Sequence, residues 1–195
     1  MKSLLALPFL FATLSLPTAP AAPVGDHDWQ VDNGHSSVVF RVKHANVSNF
    51  YGVFKTISGS ITLDPTAPEK GSVVLSIPVD SVDTRDGKRD DHLKGPDFFN
   101  SKENPAIEFH STKIAKKGDA LEVTGDLELA GKKHPVTMTV TKTGEGDFYG
   151  PRVGFEAQFQ IKRSDFGMNY GIAKNALGDT VDLMVGLELV KPAKK

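Results

Sequence analysis

Residues Val153–Ile161 read VGFEAQFQI. Val153, Phe155, Ala157, Phe159 and Ile161 fall on odd numbers, and Glu156, Gln158 and Gln160 lie between them. Successive side chains of an extended chain point to opposite faces, so this segment is a strand with one dry and one wet face. The same period of two recurs on both sides of it. Val181 to Leu189 is apolar on odd numbers, and Val136, Met138 and Val140 alternate with threonines. Leu121, Val123, Gly125, Leu127 and Leu129 form another such run, as do Ile107, Phe109 and Ser111. Val73, Leu75, Ile77 and Val79 form a third strand in chain order, with Pro78 on the other face favouring an edge or a bend. Phe54, Ile57, Gly59, Ile61 and Leu63 read as one second strand whose parity changes near Thr56, where a bulge is expected. Val38, Phe40 and Val42 open the series, and His44 continues their face. Turn residues separate the runs, at Asp64-Pro65, Lys117-Gly118-Asp119, Ala130-Gly131 and Gly144-Glu145-Gly146. Eight or so antiparallel strands with one apolar face each make a sandwich or a closed barrel, and a closed barrel can hold a small apolar ligand. Composition alone does not choose between them.

The chain has 195 residues. Its start, MKSLLALPFLFATLSLPTAPA, has an early Lys2, an apolar run from Leu4 to Leu16 and an Ala19-Pro20-Ala21 exit, the pattern of a cleavable secretory signal peptide over residues 1–21. The run is shorter than the about 20 residues that a membrane-spanning helix needs, and Pro8 and Pro17 interrupt it. Residues 22–195 are then expected to form one exported, periplasmic domain without stable membrane insertion. No cysteine occurs, so neither a disulfide nor a thiolate ligand is available to it. Net charge is −1, which gives no argument for nucleic acid as a partner.

One stretch breaks the strand pattern. Arg85 to Phe99, RDGKRDDHLKGPDFF, is mostly charged and ends in two adjacent aromatics. Asp86 or Asp90 could cap a short helix that includes Arg89 to Leu93, and Gly95-Pro96 would end it. Such a helix is too polar for a core, yet Phe98 and Phe99 are too apolar to be free. The segment reads either as a plain surface connection or as a lid. In the second reading one ring packs as a hinge and the other contacts a ligand at the barrel mouth.

Ser81 to Thr84 (SVDT), Arg89 to Lys94 (RDDHLK), Asp97 to Asn100 (DFFN) and Pro105 to Thr112 (PAIEFHST) together resemble the YceI family. Trp29 to His44, Gly52 to Phe54, Gly125 to Gly131 and Arg163 to Met168 (RSDFGM) agree with it in order and spacing. Ala130 to Val136, AGKKHPV, departs from its usual turn. The resemblance implies an all-β fold, a lipocalin-like extended eight-stranded antiparallel barrel with the short helical insertion between the third and fourth strands. It also implies a tunnel for polyprenyl chains, isoprenoid quinones or related long amphiphiles, periplasmic location and possible homodimers, with no catalytic activity or cofactor.

Inward parity nominates Phe40, Val42, Phe54, Leu75, Ile77, Phe109, Met138, Phe155, Phe159 and Leu183 for such a tunnel, joined by Phe98, Phe99 and Phe166. Gly125 and Val42 are positions where a larger side chain is expected to narrow it. A head group needs polar contacts near a mouth. His44, Arg89, Lys94, Asp97, Arg163, Asp165 and Asn169 are the candidates. The histidines are scattered without a metal-binding pair, and no nucleophile motif occurs. An enzyme acting on a bound lipid is the alternative function and requires an inward His44 beside a carboxylate. A protein-binding adaptor is a third reading.

Overall fold

The structure, a computed structural model, describes residues 25–193, so the signal-peptide expectation lies outside the described residues. Eleven strands form one antiparallel sheet: β1 (Asp28–Val31), β2 (Ser37–His44), β3 (Ser48–Phe54), β4 (Ser58–Thr62), β5 (Ser72–Pro78), β6 (Val82–Asp83), β7 (Ala106–Lys117), β8 (Ala120–Leu129), β9 (Lys132–Asp147), β10 (Pro151–Lys162) and β11 (Leu177–Val190). Among the described residues a single α-helix, α1 (Gly87–Lys94), sits between β6 and β7. The sheet closes on itself. β4, β5, β7, β8, β9, β10 and β11 follow in order, and β1 pairs with both β4 and β11. The lipocalin-like barrel of eight strands is therefore present.

Eleven segments make eight walls because three walls are interrupted, the third being β5 and β6, which turn at Val79–Ser81 and lie on β4 and β3. β1 and β2 run along the same edge of β11, at Leu189–Val190 and at Leu177–Gly186 respectively. β3 and β4 follow beside them, on β2 and β1. The first wall breaks at a 3₁₀ turn over Asn33–His35 and the second at Lys55–Ile57. The Asn33 side-chain oxygen accepts the Ile57 N–H at 2.7 Å, which supplies a ladder bond that the bent backbone cannot make. The expected continuous strand with a bulge near Thr56 is thus corrected to two strands. Phe54 faces Val38, whereas Ile61 faces Val73 and Trp29.

The alternation of the opening stretch holds. Val153, Ala157 and Ile161 are buried, and Glu156, Gln158 and Gln160 are exposed. β5 ends at Pro78, where the chain turns through Val79–Ser81. Asp86 then caps α1, accepting from the N–H groups of Lys88 and Arg89, and Gly95 closes the helix onto the His92 carbonyl.

At the opposite end an ion network holds the first break to the wall behind it. Arg152 Nη1 on β10 donates to Asp32, at 2.9 Å, and to Glu188 on β11. His35 shares the Asp32 carboxylate at 2.9 Å. The hydrogen bond from His35, followed by that from Arg152, lowers the Asp32 pKa to about 2, and Asp32 in turn raises that of His35. A depressed carboxyl contributes stability above its unfolded value of about 3.9 and loses it as pH falls through the folded value. The His35 contribution runs the other way, being present below about 6.5 and lost as pH rises through its raised folded value. Thermal melts of Asp32→Asn should therefore show less loss of Tm between pH 4 and about 2 than the natural chain shows. An unchanged acid limb would mean that the network is not coupled to folding.

Candidate functional site

The inward faces do not meet. They enclose a lumen of about 200 Å³ whose surface is entirely apolar. A single water needs roughly 10–15 Å³, so this is a chamber and not a packing defect. Phe40, Val42, Phe54, Leu75, Ile77, Phe98, Phe99, Phe109, Met138, Phe155, Phe159 and Leu183 all border it. Ile61, Leu63, Leu121 and Leu187 extend the wall on the same strand parities, so their signal was present in the sequence. Leu93, Met168 and Leu177 close its capped end. Leu93 lies on the helix, and Met168 in the irregular chain after β10, where alternation says nothing.

The lumen stays open because large side chains lie back against the wall over glycines. Gly52 is the direct cross-strand partner of Phe40, and a Cβ there would sit 2.2 Å from the tip of the Phe40 ring. A Cβ on Gly125 would sit 2.4 Å from the Phe109 ring, and one on Gly59 would sit 2.7 Å from Leu75 Cδ2. The expectation that Gly125→Phe narrows the tunnel fails on this geometry. The new Cβ would also lie 2.5 Å from the His110 carbonyl oxygen, so the strand itself would have to move. Gly52 differs, because the three nearest atoms all belong to the Phe40 ring.

Phe98 and Phe99 answer the question their segment raised. α1 keeps its charges in solvent, and Leu93 with the two rings closes the lumen beneath it. Phe98 packs against His92 and Tyr170, with ring centroids 5.1 and 5.3 Å away, and Phe99 packs edge-on against Phe54 at 5.7 Å. Both rings border the lumen, so geometry does not divide them into one hinge and one ligand contact.

The polar candidates are not gathered at that mouth. His44 is exposed, not inward. It ends β2 opposite Ser48 in a hairpin, where no facing layer remains to bury it. Arg89 lies outside, 4.5 Å above the Phe50 ring, with its guanidinium bonded to Thr84. Lys94 sits 3.9 Å from Asp91, and Asp97 bonds His92 at 2.9 Å. Asp165 and Asn169 are exposed. Arg163 alone borders the lumen, 3% exposed, yet it donates to the carbonyls of Gly178, Met168, Tyr170 and Leu177. Burial lowers its pKa and nearby Asp179 opposes the shift. Its role is to fasten the 164–178 chain, and it presents carbon to the chamber. Phe166 is a correction too: it is buried outside the lumen, packed edge-on against His134 at 5.1 Å beside a shallow outer groove. Asp165 lies at the same groove. Asp32, His35 and Glu188 bring ligand atoms within 4.8 Å of one another, but the Arg152 guanidinium occupies that cluster.

The glycine notch predicts a coupled response. Gly52→Ala pushes the Phe40 ring towards the lumen, and overpacking of this kind typically costs about 1–3 kcal/mol. Phe40→Leu shortens the group that collides. Urea denaturation should show the double variant less destabilised than the sum of the two single variants. Simple additivity would mean that the ring does not rest on Gly52.

Comparison with known proteins agrees with this architecture. Residues 29–189 match a YceI-like domain. Protein YceI of Escherichia coli O157:H7 is 38% identical over 192 residues, covering 97% of this chain and 98% of that protein. The crystal structure of BcnA from Burkholderia cenocepacia superposes with a TM-score of 0.74 at 32% identity, over 81% of this chain and 98% of that one. A polyisoprenoid-binding domain from Saccharophagus degradans, at 19% identity, shares the fold with a TM-score of 0.66 over 84% of this chain and 98% of that one. With its barrel, its apolar chamber and this match along nearly all of its length, the chain belongs to the YceI-like family.

Proposed function

We propose that the protein is a periplasmic carrier that holds the tail of a long amphiphile, an isoprenoid lipid or quinone, in its lumen. The observation that carries this reading is the chamber without a polar atom on its surface. Apolar cavities of this kind stay dry, and each methylene group moved into one contributes about 0.8 kcal/mol. About ten such groups give a gross gain of roughly 8 kcal/mol before the entropy of association is subtracted, so a tail can bind without a polar anchor inside. The fold shared with a domain named for polyisoprenoid binding supports the choice of ligand.

Binding without catalysis is the better reading of this site. The enzymatic alternative needed His44 inside beside a carboxylate, and His44 is exposed. The arginine at the chamber is tied by four hydrogen bonds to backbone carbonyls. Export is supported by the Leu4–Leu16 run and the Ala19-Pro20-Ala21 exit.

Native mass spectrometry of protein from its own host tests both parts. The expected species begins at or near Ala22 and carries a long-chain amphiphile that extraction returns chemically unchanged. His44→Ala should keep the same load. Protein retaining Met1 would remove the export claim. A bare polypeptide mass, or a ligand converted at a rate that depends on His44, would remove the carrier claim.

A further inference from the structure

The wall of the barrel is not hydrogen-bonded along its whole length. β9 pairs with β8 over Lys132–Val140 and with β10 only over Val140–Asp147. β10 pairs with β9 over Pro151–Ala157, and from Gln158 to Lys162 its only ladder is with β11. Continuing the register of the paired half would set Gln160 opposite Thr137 and Lys162 opposite Pro135. Those pairs are not made. Two stretches of ring strand thus face each other across a seam, with backbone groups unladdered on both sides. Pro135 suits such an edge, since it has no N–H to offer a neighbour.

The shallow outer groove lies on this seam, with Pro135 and Thr137 on one bank and Gln160 and Lys162 on the other. Ile161 borders both that groove and the lumen. It is the side chain common to the two spaces. The His134–Phe166 pair bridges the seam between β9 and the chain after β10. Meanwhile the lumen offers no polar atom, and at the α1 cap Arg89 is bonded to Thr84 and His92 to Asp97 on the outside. An amphiphile whose tail fills the lumen must place its head where donors and acceptors exist.

We infer that the β9–β10 seam is a lateral portal: the tail enters past Ile161, and the head group rests in the outer groove. This rests on the carrier reading above. Thr180 offers a neutral hydroxyl, Gln160 keeps its amide oxygen while its nitrogen donates to Asp182, Thr137 pairs with Thr124, and Lys162 and Asp165 bring one charge of each sign. A phosphate would meet the carboxylate, so the head that fits is a neutral oxygen, a hydroxyl or a carbonyl.

The chain has no cysteine, so introduced thiols are unambiguous. The protein is loaded with geranylgeraniol, and its transfer to phosphatidylcholine vesicles is timed. In Thr137→Cys/Gln160→Cys, a bifunctional maleimide spans the seam. Transfer should slow at least tenfold once bridged, measured against the same variant left unbridged. In His92→Cys/Tyr170→Cys, whose native rings lie 4.9 Å apart, the same reagent pins α1 to the chain before β11 and should leave the rate within twofold. Ile161→Ala should speed transfer at least threefold. A bridged seam that transfers at the unbridged rate overturns the portal alone, as does a pinned α1 that stops transfer. Failure of the natural protein to take up the alcohol overturns the carrier reading and the portal with it.

Discussion

Closing eight strands into a ring fixes an interior whose width is set by backbone geometry, not by the side chains that point into it. Everything else in this molecule is a response to that constraint. The hydrogen-bonded ring spares the sheet two long free edges, but it leaves a space that must be filled, capped or used. Here it is capped at one end by α1 and the Phe98-Phe99 pair, and narrowed at the other by the small cluster of Ile61, Val153 and Leu189. It is not filled, because Phe40 and Phe109 lie flat over Gly52 and Gly125. Glycine in a strand costs stability, and these glycines face the lumen, where larger residues would bring the rings together.

The same constraint explains the broken walls. β1–β2 and β3–β4 bend at matching heights, and the Asn33–Ile57 bond and the Asp32–Arg152 pair secure the bend from the side. Arg163 does comparable work at the capped end, where two carbonyls of the irregular chain and two at the start of β11 converge on one guanidinium. A buried cation is costly without partners, so these four acceptors make it a structural fastener.

Much of this was legible in the sequence. Period-two runs such as Val153–Ile161 carry their own facing information, and they located all eight walls and nearly all of the lumen lining. Asp86, one of two candidate caps with Asp90, and Gly95 marked the ends of α1 because capping is a local matter. What escaped notice depends on contacts between distant residues. His44 kept the inward parity but sits where the barrel no longer covers it. The change near Thr56 looks like a bulge from one strand alone and becomes a break only when β1–β2 is seen bending beside it. Phe166 has the composition of a lumen residue, yet the turn that carries it swings outside to meet His134. The seam was invisible for the same reason, since the end of a ladder belongs to two strands and is written in neither.

The chamber's occupancy is the point on which the functional reading turns. A crystal structure of the protein purified from its own host, without any delipidating step, addresses it most directly. The expected result is continuous tail density along the lumen, in contact with Phe40, Phe109 and Leu183. A lumen filled with ordered water, or collapsed so that the inward side chains touch across it, would contradict a lipid-carrying role.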